Sequence, residues 1–173
     1  MAGNNKMPAY LREHLTHTES VVGSGNGNRP GTEKEEDSCP AFGFLRGLDV
    51  RALMVEFRLA SGNSEWFAYS CLVSCRHNPS VGLLLKFSSG DVTSLVLIHG
   101  SNLEAPVGQG EVNLTDRGLQ RHRIVYVREM NQEELQKKQQ DAPTIDSIDI
   151  AEFETAEEQR EWLKERAPVF LRK

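Results

Sequence analysis

Aromatic side chains are scarce in this chain, 7% of its 173 residues, so its core must be built mainly from aliphatic runs. Cysteine is scarcer. Cys39, Cys71 and Cys75 form an odd set without disulfide-framework spacing, which suits a reducing compartment. No stretch comes near the roughly 18 consecutive apolar residues of a membrane span. The opening MAGNNKMPAYLREHLTHTES carries no apolar block of the secretory kind, so a cytoplasmic chain without a membrane partner is expected. The sequon Asn113-Leu114-Thr115 is then without consequence.

Catalytic signatures are missing too. There is no phosphate-binding loop, no nucleophile elbow, no HExxH, and no Ser, His and acid set whose spacing implies proximity. Gly23, Gly25 and Gly27 lack a preceding strand and a following Lys-Ser or Lys-Thr pair, and read as linker. Phe42, Gly43 and Phe44 share two aromatics with an RNA-binding signature but lack its basic lead, and read as a lead-in to the core. Cys71, Cys75 and His77 sit in strand-like sequence, where residues four apart are separated by about 13 Å, too far to share one zinc. No metal, cofactor or catalytic residue is therefore expected. The enzyme alternative reduces to a small enzyme using His99, at a strand end, or Cys71 and Cys75.

What the chain does hold is strand patterning, clearest in VGLLLKFSSGDVTSLVLIHGSNL from Val81 to Leu103. Two apolar runs, Val81 to Phe87 and Val92 to Ile98, flank a short polar break at Ser88, Ser89, Gly90 and Asp91 that predicts a hairpin. Val81, Leu83, Leu85 and Phe87 share one face at period two, and Leu84 on the other implies partial cover on both sides. Arg51 to Ala60 predicts a further strand that turns Leu53, Val55, Phe57 and Leu59 inward. Trp66 to Arg76 follows as its hairpin partner, and Ile124 to Arg128 as a closing or edge strand. Ala41 to Leu48 reads as a helical turn or lead-in loop.

Around this lies lower complexity. Pro8, Leu11 and Leu15 predict a short helix over 7–17, and SVVGSGNGNRPGTEKEEDSC from Ser20 to Cys39 a flexible linker. Asn131 with Glu134, and Thr155 with Glu158, are capping-box pairs that predict two helices, the second stopped by Pro168. Ile145, Ile148, Ile150 and Phe153 follow no simple period and read as an irregular arm on the core. The expected organisation is a short helix and linker at 1–40, a β-rich core at 41–130 and an acidic helical extension at 131–173. The expected fold class is mainly β: a four- to five-strand antiparallel meander, bent sheet or small barrel with short N- and C-terminal helices.

Net charge is −5, with the acidic excess at the two ends and five charges of each sign over residues 41–110. That leaves no broad basic footprint for nucleic acid. The one basic cluster is Arg117, Arg121, His122, Arg123 and Arg128, and three of its arginines, Arg117, Arg121 and Arg123, are ligand-binding candidates together with His99, Gly100 and Asn102.

Ile98, His99, Gly100, Ser101, Asn102 and Leu103 resemble the second motif of Sm and Lsm proteins: an apolar residue, a basic one, Gly, any residue, Asn, then an apolar residue. The resemblance covers roughly residues 50–105. It implies a ring-forming small barrel that binds single-stranded RNA near the Gly100 and Asn102 turn, with His99 in place of the usual basic residue. The expectation is thus a non-enzymatic binding or assembly module. Its partner is an unknown protein or further copies of itself, and single-stranded RNA is the alternative ligand.

Overall fold

The computed structural model describes residues 36–47, 49–108, 112–137 and 140–171. The helix expected over 7–17 and the linker up to residue 35 lie outside them. The described strands are β1 (Glu36–Ser38), β2 (Phe42–Leu45), β3 (Met54–Arg58), β4 (Ser64–Ala68), β5 (Leu72–Asn78), β6 (Gly82–Ser89), β7 (Val92–Ser101), β8 (Ile124–Arg128) and β9 (Thr144–Phe153). Two helices accompany them, α1 (Gln132–Gln136) and α2 (Ala156–Arg166). The fold is mainly β.

The strands divide between two sheets, ordered β1-β2-β8-β3-β4 and β5-β6-β7-β9. Neighbours pair antiparallel except β3 with β8, which run parallel because β8 inserts between β2 and β3. The expected hairpin is β6 and β7, in register from Leu83↔Ile98 to Ser89↔Val92. Its two-residue turn begins at Gly90 with φ 61°, the positive value that a turn matching the strand twist requires there.

The main core is shared by the two sheets. Phe42, Phe44, Val55, Phe57, Ile124 and Val127 of the first sheet cluster with Leu83, Leu85, Phe87, Val96, Ile98, Ile145 and Ile148 of the second. Alternation sends Leu84, Leu95, Leu97 and Phe153 to the opposite face of the second sheet. There Trp162 and Leu163 of α2 cover them, together with Ala167 and Phe170. The narrow apolar stripe of α2 thus docks through Trp162 and Leu163. Both expected capping boxes form, at Asn131 and at Thr155.

Four local expectations change. Residues 42–45 form a strand inside the first sheet rather than a helical turn, because Phe42 and Phe44 both reach the core. Leu53 is 86% exposed, since β3 begins one residue later and only Val55 and Phe57 of the expected face are fully buried. The strand expected from Trp66 to Arg76 is broken by a 3-10 turn at Tyr69–Cys71, where the chain passes from the first sheet to the second. The expected irregular arm is strand β9, paired with β7 along its length. Register slips between His99 and Gly100, so that Ile145 opposes Gly100 and Ser147 opposes His99. The extra residue, Asp146, explains why the inward isoleucines do not alternate.

Candidate functional site

The turn from Ile98 to Leu103 is fixed by its backbone. A Cβ at Gly100 would meet the Thr144 carbonyl oxygen at 2.0 Å, so the bulge there admits only glycine. Asn102 has φ 55°, and its Nδ2 donates to the carbonyls of Gln140 at 3.2 Å and Ala142 at 3.3 Å. Ile98 and Leu103 on either side are core residues. Gly100 and Asn102 line a hollow of about 390 Å³ with His77, Pro79, Glu104 and Asp141. His99 is not among its walls. Its Nδ1 lies 3.1 Å from the Val81 carbonyl and its Nε2 3.7 Å from Asp149, whose other oxygen is 3.6 Å from Arg166 of α2.

The arginine candidates differ in kind. Arg123 is 2% exposed, and its Nε and Nη2 donate to the Leu45 carbonyl at 3.0 and 2.7 Å, with Nη2 also 3.0 Å from the Arg46 carbonyl. It is a tie between β8 and the end of β2. Arg117 lies in a π-helical turn, Thr115–Leu119, and is exposed, as is Arg121 two residues beyond that turn. Arg128 donates to both oxygens of Glu134 and to the Pro40 carbonyl, which joins α1 to the first sheet.

A second hollow, of about 440 Å³, opens between β5 and that π-helical turn. Leu72, Val73, Leu83 and Leu119 are its apolar lining, Ser74, Cys75 and His77 come from β5, and Thr115, Asp116, Gln120 and His122 from the other side. His122 has φ 53°, an uncommon conformation for a residue with a side chain, and its ring stacks on Tyr69 at 4.5 Å and 17°. Tyr69 is locked in turn, its hydroxyl donating to the Ile124 carbonyl at 2.8 Å. The side chain of Asn113 hydrogen-bonds Asp116 and holds its carboxyl below the usual range. Cys75 is exposed as a residue, yet its surroundings desolvate the sulfur and push the thiol up to about 11. That keeps it protonated at neutral pH and a poor nucleophile.

Backbone pairing brings basic residues together next to His122. The Ala52 amide donates to the His122 carbonyl at 2.7 Å, which sets Arg51 beside the Arg121–Arg123 segment. Desolvation lowers the pKa of Arg123, and repulsion from Arg121 and Arg51 lowers it further. Sequence reasoning singled out Arg117, Arg121, His122 and Arg123 as members of one basic cluster but not Arg51, Ser74, Thr115 or Gln120. Neither the crossing from β4 to β5 nor the Ala52 to His122 contact leaves a periodic trace. Among the described residues no three His, Cys, Asp or Glu side chains are grouped to hold a metal ion. None of the described helices is long and apolar enough to cross a membrane. No protein-family model matches the chain, and neither the curated proteins nor the solved structures include a match.

Proposed function

We propose that the chain is a non-enzymatic binding module that takes a phosphate-bearing ligand at the exposed Arg121, beside the hollow of Ser74, Thr115, Gln120 and His122. The observation that carries this reading is that Gln120 and His122, on either side of the exposed Arg121, line a hollow rich in hydroxyl, amide and imidazole groups. Guanidinium groups suit phosphate because their planar donor sets match its oxygens. Asp116 on the same wall accepts a hydrogen bond rather than an anion, so a ligand with a donor as well as a phosphate fits better than phosphate alone. The protonated Cys75 thiol favours binding over nucleophilic catalysis.

The test uses a fluorescent decauridylate at low salt, with adenosine monophosphate and inorganic phosphate as competitors. Binding that weakens at least tenfold in Arg121→Glu supports the proposal. Competition by the nucleotide marks a small-molecule site, whereas binding of the polymer alone favours single-stranded RNA, as the Sm-like motif implies. Equal binding by Arg121→Glu and the unaltered chain overturns the reading.

A further inference from the structure

A separate hollow of about 730 Å³ is walled by the turn at Cys39 and Pro40, by Pro106 to Gly108, by Met130 and α1, and by residues 140–143. Its size is that of a small-molecule site. The lining is mainly apolar, from Pro40, Pro106, Val107, Met130, Ala142 and Pro143. Its walls are pinned from several sides. Asn102 holds the carbonyls of Gln140 and Ala142, Arg128 holds the Pro40 carbonyl and Glu134, and Gly108 packs close against the Phe44 ring. A hollow with fixed walls gives a ligand its surface without an ordering cost at binding.

Three charged groups line it: Glu134, Lys137 and Asp141. Glu134 already receives Arg128 and the Asn131 amide, at 2.8 to 3.1 Å. Lys137 lies 3.5 Å from Glu133. Asp141 has no hydrogen bond or ion pair among the described residues, although both its neighbours are fixed by Asn102. Among the described lining residues, Asp141 is therefore the charged group without a partner.

We infer that this hollow binds a small, mainly apolar molecule ending in a protonated amine, the apolar body lying against Met130 and the prolines and the amine facing Asp141. This site is distinct from the phosphate site in place and in charge preference.

Cys39 lines the hollow and reports on its occupancy. In the full chain with Cys71→Ser and Cys75→Ser, the rate at which N-ethylmaleimide modifies Cys39 is followed by mass spectrometry. The probes are 4-phenylbutylamine and 4-phenylbutyrate, which share an apolar body and differ in charge. The amine is expected to slow modification saturably, at least fivefold, while the carboxylate does not. Asp141→Asn, an exposed change that leaves the core alone, is expected to reduce the protection at least threefold. Arg121→Glu leaves it intact, so failure of the phosphate site and failure of this one are told apart. No protection by the amine, equal protection by both probes, or full protection in Asp141→Asn overturns the inference.

Discussion

Replacing Arg123 with methionine separates scaffolding from binding in the basic cluster. Methionine keeps much of the apolar stem but removes three donor contacts to the carbonyls of Leu45 and Arg46. Leu45 is itself buried, so stranding its carbonyl costs about 1–3 kcal/mol, and the more exposed Arg46 carbonyl about 0.5–1 kcal/mol. Relief of the repulsion from Arg51 and Arg121 offsets about 0.5–1 kcal/mol of this, at surface-like values. The net expectation is a loss of about 1–3 kcal/mol. In urea, with a slope of about 2 kcal/mol per molar, the unfolding midpoint falls by about 0.5–1.5 M at unchanged slope. Arg121→Met, made at an exposed position, leaves the midpoint within about 0.3 M, consistent with a surface substitution. If Arg123→Met moves the midpoint no further than Arg121→Met does, Arg123 is not the tie described, and its bonds to Leu45 and Arg46 contribute nothing.

Gly100→Ala drives a Cβ into the Thr144 carbonyl and is expected to cost about 2–3 kcal/mol by overpacking; an unchanged melting temperature would show that the bulge tolerates a side chain. With Cys39 and Cys71 replaced by serine, Cys75 at about 11 has far less thiolate at pH 8 than a thiol at the usual 9.0. Allowing for the greater nucleophilicity of the thiolate that does form, iodoacetamide should modify it about tenfold more slowly than a small cysteine peptide; an equal rate contradicts the desolvation. Glu56 has its carboxyl held below 4.5, first by the hydrogen bond from Arg58. Its stabilising contribution is therefore present above pH 4.5 and is lost as pH falls through the depressed value. The stability gap between the unaltered chain and Glu56→Gln, about 1 kcal/mol at pH 6, should narrow as pH falls below 4.5, and a constant gap refutes the assignment.

Much of the second sheet is legible in the sequence. The Val81 to Leu103 stretch announces both strands, their turn and their two covered faces, because each alternate position carries a large aliphatic side chain. The division into two sheets is not legible, since Trp66 to Arg76 has continuous strand character and only tertiary contacts of Tyr69 place the break. Strand β9 hides its period behind one bulged residue, Asp146. The short run from Phe42 to Leu45 fits a helical turn as well as a strand until Val127 and Ile124 lie opposite it.

The candidate sites follow the same division. Residue types marked Arg121 and Asn102 as candidates, and the backbone gives a structural role to Asn102, whose positive φ aims its amide at the loop of Gln140 and Ala142. Composition cannot distinguish the buried Arg123 from the exposed Arg121 two residues earlier. Strand alternation places them on the same side, and the carbonyls of Leu45 and Arg46 decide which one turns inward. His122 is marked in the sequence only as a member of the basic cluster; its strained backbone and its stack on Tyr69 depend on contacts across more than fifty residues.

The most direct test of the phosphate site is the salt dependence of decauridylate binding by the unaltered chain and by Arg121→Ala. Each phosphate contact to a single strand contributes about 0.7 to the slope of log affinity against log salt. The account predicts a measurable slope for the unaltered chain that becomes shallower by about 0.7 when Arg121 is removed. No binding at low salt, or two identical slopes, would contradict it.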